Sequence, residues 1–210
     1  MSRLAAILLL LAAPGAILSA PGALAQADSF GPWLLTCTTD RMTDATDCRM
    51  LHRQPVQPAA PGQAALTLEV TERNRRLVPV VTARDLSLEG AARGVLALTG
   101  SAQLRFPPNR LFDMPCALEG VSLVCAPREA DLARAAAELP GADRVLIRIT
   151  GLLVPRDQAM AEPVELRLSD TPAALARLRA RVPEGLAAPP PRPGLDLWDV
   201  LDRLRRLLER

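Results

Sequence analysis

The sequence predicts one mainly β domain, an antiparallel β-sandwich or partly closed barrel with two flanking helices and a C-terminal amphipathic helix. Short segments in which apolar residues alternate with polar ones recur along the chain, which is the period of a half-buried strand. Two segments, 129–139 and 171–182, carry the apolar period of a helix instead. The four cysteines stand at the ends of strand-like segments, as expected for hairpins closed by disulfides.

The first 25 residues have the features of a secretory signal peptide. Arg3 provides the positive charge, residues 4–13 the apolar segment, and Ala23-Leu24-Ala25 the small-residue cleavage site. The apolar segment is too short for a membrane span. We therefore expect a bacterial protein that is periplasmic or secreted, without an integral membrane span and with its folded domain at 26–182.

Export favours disulfides over a metal or redox cluster for the four cysteines. Four cysteines allow three pairings. The local pairing closes short loops between adjacent strands, so we favour it over the crossed pairings, which the sequence leaves open. Each bridge is expected to stabilise the fold by roughly 2–4 kcal/mol. The favoured bridges are Cys37–Cys48 and Cys116–Cys125.

A stapled hairpin opens the domain. Phe30-Gly31-Pro32-Trp33 leads into a strand that ends at Cys37, and a loop rich in Asp and Thr precedes the strand that starts at Cys48. Pro79 cannot donate to a sheet ladder, so its strand is expected at a sheet edge. The remaining strands are expected at 65–72, 77–83, 94–100, 102–106, 111–116, 121–125, 144–150 and 164–168.

Of the last two helical segments, the first belongs to the domain and the second follows a spacer. Thr171 is the expected N-cap of the first, with Pro172 at its first position. A proline-rich spacer at 183–193 then separates the domain from a helix expected at 194–210. The apolar stripe of that helix is a candidate partner-docking surface, to be covered by the domain itself, by a partner's groove or by a second copy. The stripe consists of Leu197, Trp198, Leu201, Leu204 and Leu208.

Composition argues against several classes of function. The 25 basic residues, all arginine, are nearly balanced by 23 acidic ones, so the formal net charge is only +2. Because aromatic residues make up 2% of the chain, we expect no nucleic-acid binding. In the C-terminal helix four acids balance four arginines, which counts against a lipid-surface role for that helix. The sequence lacks a phosphate loop, a dinucleotide fingerprint and a zincin helix, so no cofactor or metal is expected.

A few polar side chains are candidates for chemistry. His52 is the only histidine, and we expect a structural residue at a strand end rather than a general base. Arg73, Arg75 and Arg76 are weak candidates for contact with an anion, although a charged turn that discourages edge pairing is the favoured interpretation.

Two further features have stronger structural than functional interpretations. Asp40, Asp44 and Asp47 share one loop, but their spacing lacks the alternation and glycine of a calcium loop, so a solvated hairpin tip is expected. Trp33 precedes a disulfide on a strand, where core packing is commoner than ligand stacking.

The chain resembles the invasion-associated locus B family of alphaproteobacterial exported proteins over about residues 28–182. It departs from the family where Ser169-Asp170-Thr171 replaces the usual glycine, and in its C-terminal addition. The resemblance implies a periplasmic or surface-associated β-rich domain, linked in pathogens to host-cell invasion, and it implies no known reaction. It rests on Phe30-Gly31-Pro32-Trp33, Cys48-Arg49-Met50, the second cysteine pair and Glu162-Pro163-Val164-Glu165-Leu166.

We therefore expect a non-catalytic exported binding or envelope-associated module whose partner is an envelope or host protein. The alternative is a periplasmic enzyme of unrecognised type. A pocket with converging carboxylates of shifted pKa would favour the enzyme, whereas a filled core would favour the module.

Overall fold

The computed structural model describes residues 27–44, 46–61, 64–84, 86, 100–150 and 162–181. Several predicted segments lie outside these residues: the signal peptide, most of the strand expected at 94–100, the proline-rich spacer and the C-terminal helix with its apolar stripe. Within the described part of the chain, no helix is both long and apolar enough to cross a membrane.

Ten strands, all within the described residues, form one antiparallel sheet that curls into a half-barrel. Their order across the sheet is β1-β2-β3-β4-β5-β8-β7-β6-β9-β10. The predicted mainly β, partly closed architecture is therefore confirmed. The strands are β1 Ala27–Phe30, β2 Trp33–Thr39, β3 Thr46–His52, β4 Thr67–Arg73, β5 Arg76–Ala83, β6 Ser101–Arg105, β7 Phe112–Glu119, β8 Ser122–Cys125, β9 Arg144–Thr150 and β10 Val164–Arg167.

Two helices flank the sheet, as the sequence predicts. Helix α1, Leu132–Glu138, has a 3-10 turn at each end, Glu129–Asp131 and Leu139–Gly141. Helix α2, Thr171–Arg181, follows the last strand. Helix α1 packs on β5, and α2 packs on β1, β2 and β3. Because α2 is joined to β10 at one edge of the sheet and lies on the strands at the other edge, it links the two edges of the half-barrel.

One side of the sheet carries the core. Cross-strand partners point to the same side, as Leu35 does with Met50 and Leu104 with Ile147. The alternate residues of most strands point the other way, which is why the sequence shows a period of two. Strands β4 and β5 are buried on both sides, as Glu69 and Val80 show. Buried residues on the core side include Trp33, Leu35, Met50, Leu68, Val70, Val81, Leu104, Phe112, Met114, Val145, Ile147 and Leu166.

Both disulfides have the predicted local pairing. Cys37 and Cys48 lie directly opposite each other on β2 and β3, with an S–S distance of 2.10 Å. Cys116 and Cys125 do the same on β7 and β8, at 1.98 Å. Each bridge therefore fixes the register of one hairpin.

The expectation that Pro79 lies in an edge strand is wrong, because β5 lies between β4 and β8. Pro79 pairs with Val70 of β4, whereas β8 pairs only with Val81, Thr82 and Ala83 of β5. Pro79 therefore lies outside the part of β5 that pairs with β8. At this position the lack of an N–H costs no hydrogen bond to β8.

The N-cap expected at Thr171 is also wrong. The hydroxyl of Thr171 donates to the carbonyl of Leu168 at 2.7 Å and points into the core, where the residue is fully buried. The helix instead receives its first backbone bond at Asp170, whose carbonyl accepts from the N–H of Ala174 at 3.0 Å. The buried hydrogen bonding of the Thr171 hydroxyl therefore outweighs the preference of threonine for capping the helix.

Candidate functional site

The two edges of the half-barrel meet in a set of buried polar contacts, the closure contact, formed by Trp33, His52, Arg167 and Thr171. The indole N–H of Trp33 donates to the hydroxyl of Thr171 at 2.9 Å. The imidazole Nε2 of His52 lies 2.8 Å from the backbone carbonyl of Arg167. Trp33 and His52 also meet edge to face, with ring centroids 5.3 Å apart. The core role expected for Trp33 is therefore confirmed.

His52 is fully engaged by the fold. Its Nδ1 lies 3.0 Å from the backbone carbonyl and 3.2 Å from the backbone nitrogen of Gln54, and its Nε2 lies 2.8 Å from the carbonyl of Arg167. The ring is 3% exposed. A histidine bonded at both nitrogens to backbone groups holds two parts of the chain together, in agreement with the structural role expected for it.

Gly31 is pressed against the turn that precedes α2. It forms the turn of the β1–β2 hairpin with φ +52°, a value that glycine adopts without strain. A Cβ atom at this position would lie 2.6 Å from the Asp170 carboxylate and 2.8 Å from the Ser169 hydroxyl. The glycine in the Phe30–Trp33 motif therefore allows the closure contact to form.

A surface ion pair reinforces the same junction. Asp28 of β1 accepts from Arg177 at 2.8 Å and from Arg181 at 3.2 Å, both on α2. The hydrogen bond from Arg177, with a smaller one from Arg181, lowers the pKa of the Asp28 carboxyl below its usual value. The shift reflects an ion pair between secondary-structure elements, with no second carboxylate involved.

Glu69 is a buried carboxylate with internal partners. It accepts from the Thr82 hydroxyl at 2.8 Å, and its two oxygens accept from Arg84 at 3.0 and 2.6 Å. The side chain of Glu69 is 0% exposed, and that of Arg84 is 27% exposed. This bidentate pair links β4 to the chain that leaves β5.

The turn between β4 and β5 contains the three arginines proposed as anion contacts. Arg73 is bound by Glu119 of β7 at 2.6 Å, so its charge is already paired. Arg75 and Arg76 are exposed, and among the described residues neither forms an ion pair. Asn74 and Arg75 both have positive φ, 49° and 61°, as a two-residue hairpin turn requires.

Asp40 and Asp44 lie in the hairpin tip between β2 and β3, as expected, whereas Asp47 belongs to β3 and lies opposite Thr38. The carboxylate of Asp40 accepts from the N–H of Met42 at 2.7 Å, which is a turn contact, and Asp47 pairs with Arg49 at 2.7 Å. Among the residues that the structure describes, no group of three or more acidic, histidine or cysteine side chains could hold a metal ion.

An exposed group of arginines lies on the outer side of β6, β9 and β10, opposite the core. We call it the arginine face, and it consists of Arg105, Arg144, Arg148 and Arg167. All four side chains are exposed, while the intervening Val145 and Ile147 are 0% exposed and point into the core.

Sheet register places the four arginines close together. Arg144 lies directly opposite Arg167, so their Cβ atoms are about 5 Å apart. Arg105 lies opposite Leu146, which places it diagonally between Arg144 and Arg148, about 7–8 Å from each. The four charges therefore spread over three neighbouring strands on the outer face of the half-barrel.

The arginine face is poorly neutralised. Its one carboxylate, Glu165, lies 3.9 Å from Arg144, and both side chains are at least half exposed. Arg105 donates to the backbone carbonyl of Asn109 at 2.8 Å, which orients it without removing its charge. Among the described residues, the side chains of Arg148 and Arg167 have no hydrogen-bond or ion-pair partner. Like charges directly opposite each other destabilise a sheet, so this arrangement is costly unless an anion binds there.

The fold and this surface define a class: a disulfide-stapled antiparallel half-barrel that presents an arginine-rich sheet face. Comparison of the chain with protein-family models, with curated proteins and with solved structures gave no match.

The arginine face was not predicted from the sequence. A partial signal exists, because Arg144 and Arg148 share the polar side of a strand whose other side is apolar, and Arg167 does the same in the next strand. The proximity of these residues to Arg105 depends on β6 pairing with β9, and strand alternation alone does not reveal that pairing.

Proposed function

We propose that the protein is a non-catalytic, exported binding or envelope-associated module, and that it binds through the arginine face. The observation that carries the proposal is the directly opposed, exposed pair Arg144 and Arg167, with Arg148 on the same face of β9 and without an ion-pair partner among the described residues. Two like charges directly opposite each other lower the stability of the sheet, so the stability of the domain does not explain this pair. An anionic partner would remove the repulsion and gain charge-assisted hydrogen bonds.

Two other features support a binding scaffold. The paired cysteines suit a compartment outside the reducing cytoplasm, as does the predicted signal peptide. His52 and Glu69 are buried side chains of the types that act as acids or bases in enzymes, and both form internal hydrogen bonds. The resemblance to the invasion-associated locus B family supports the same proposal, with periplasmic or surface location and a partner in the envelope or on a host cell.

Cell fractionation with matched variants tests the proposal. The double variant Arg148→Gln/Arg167→Gln should shift the protein from the envelope fraction to the soluble fraction of its host. The control Arg75→Gln/Arg76→Gln removes the same charge from exposed arginines at the β4–β5 turn and should leave the distribution unchanged. Equal distributions for wild type and both variants would refute binding through the arginine face.

The predicted C-terminal helix is a separate candidate for partner binding, proposed from its sequence alone. Truncation after Pro183 distinguishes its alternatives. Loss of self-association or of a cross-linked partner, with an unchanged melting temperature, would assign the apolar stripe to docking. Loss of several degrees in melting temperature without either effect would assign it to the fold of the domain.

A further inference from the structure

We infer that the arginine face binds the anionic headgroups of a membrane surface. The inference rests on the proposed function and names the partner for the same site. It concerns the folded domain, and is distinct from any role of the C-terminal helix.

The distribution of charge favours a surface over a small anion. The four arginines lie on three strands. The two that share a strand, Arg144 and Arg148, are about 13 Å apart. A single phosphate would contact one or two of them. An array of phosphates at a membrane surface can contact several of them at once, because the pairing of β6, β9 and β10 holds the four arginines on one face.

The chemistry of the face favours phosphate over sugars or bases. Arginine forms bidentate hydrogen bonds with phosphate oxygens. Stacking on a sugar or a base needs an aromatic side chain, and the outward residues between the arginines are Gln103, Leu146 and Glu165. Leu146 is partly buried, so it offers little apolar surface for insertion into the bilayer. Attraction to the surface is therefore electrostatic.

The face also has a defined boundary. On the neighbouring strand β7, Asp113 lies opposite Gln103 and is paired with Arg128 at 3.1 Å, so the charge there is balanced. Within the described part of the sheet, the arginine face therefore ends at β6 on this side, and its position on β6, β9 and β10 defines the orientation in which the domain would approach a membrane.

Vesicle sedimentation tests the inference with the protein as exported by its host. The protein should bind vesicles containing phosphatidylglycerol and not vesicles of phosphatidylcholine alone. Each arginine near an anionic surface contributes about fivefold in partition, so Arg148→Gln/Arg167→Gln should weaken binding about 25-fold. The charge-matched control Arg75→Gln/Arg76→Gln should bind within twofold of wild type. Higher salt should weaken wild-type binding.

A gain-of-binding variant guards against effects of misfolding. Glu165→Gln removes the one carboxylate of the face and should increase partition by about fivefold. Equal loss in the test and control variants would show that only net charge matters and would overturn the inference. Displacement by inorganic phosphate at an ionic strength at which sodium chloride leaves vesicle binding unchanged would identify a soluble anion as the ligand and would also overturn the inference. Envelope retention that depends on the arginine face, without vesicle binding, would refute the lipid assignment and leave the proposed function standing.

Discussion

Replacement of Thr171 by valine tests whether the closure contact holds the half-barrel together. Valine has nearly the same shape but no hydroxyl, so the change leaves two buried groups without a partner, the indole N–H of Trp33 and the carbonyl of Leu168. Each unsatisfied buried group costs about 1–3 kcal/mol, and the added methyl group returns about 0.8 kcal/mol. We therefore expect the free energy of unfolding to fall by about 1–5 kcal/mol.

The measurement is urea unfolding followed by far-UV circular dichroism, because fluorescence would change with any substitution of Trp33. Thr171→Ser keeps the hydroxyl and loses one methyl group, so it should cost only about 1 kcal/mol. A double-mutant cycle with Trp33→Phe isolates the hydrogen bond between the two side chains, and should give a coupling energy of at least 1 kcal/mol. Equal stabilities of the valine and serine variants, or a coupling within about 0.5 kcal/mol of zero, would refute the reasoning.

Three further predictions concern contacts elsewhere in the fold. Arg84→Ala removes the charged partner of the buried Glu69 carboxylate and should lower the free energy of unfolding by about 3–5 kcal/mol in the same assay. The double variant Arg84→Ala/Glu69→Gln should recover part of this loss. Cys48→Ala should cost about 3 kcal/mol, the value for closing a loop of this length, and should leave Cys37 reactive to maleimide; an unreactive Cys37 would contradict the pairing. Asp28→Asn should destabilise the protein at pH 7. Because folding lowers the pKa of Asp28, its contribution is present above the ordinary aspartate pKa of about 4 and is lost as pH falls through the lower folded value. The stabilities of wild type and variant should therefore converge as the pH is lowered, and a difference independent of pH would exclude the ion pair with α2 as its cause.

Local chemistry was sufficient for many elements of the fold. Alternation in Arg144–Thr150 and in Val164–Arg167 predicts strands, because a half-buried strand exposes every second side chain. The two disulfides follow from cysteines that face each other across short hairpins. The boundaries of α2 were predicted to within one residue, since a proline near its start and the apolar period are both local features.

Contacts between distant segments could not be predicted in this way. The alternation rule predicts no strand before Phe30, yet β1 forms because Gly31 allows a tight turn back onto β2. Thr171 has the local features of a helix cap, but its hydroxyl serves Trp33, 138 residues away in sequence. Pro79 has the local features of an edge residue, and its true position depends on how far β8 extends along β5.

The sequence by itself determined which side chains of most strands are apolar and where the two flanking helices lie, and it favoured the local cysteine pairing, because these properties depend on residues nearby in the chain. The tertiary structure alone decided which strands are adjacent, and adjacency creates both the closure contact and the arginine face. Arg105 and Arg167 each belong to an ordinary amphipathic strand. They become parts of one surface only because β6 and β10 both pair with β9, and that pairing is set by the register of the whole sheet.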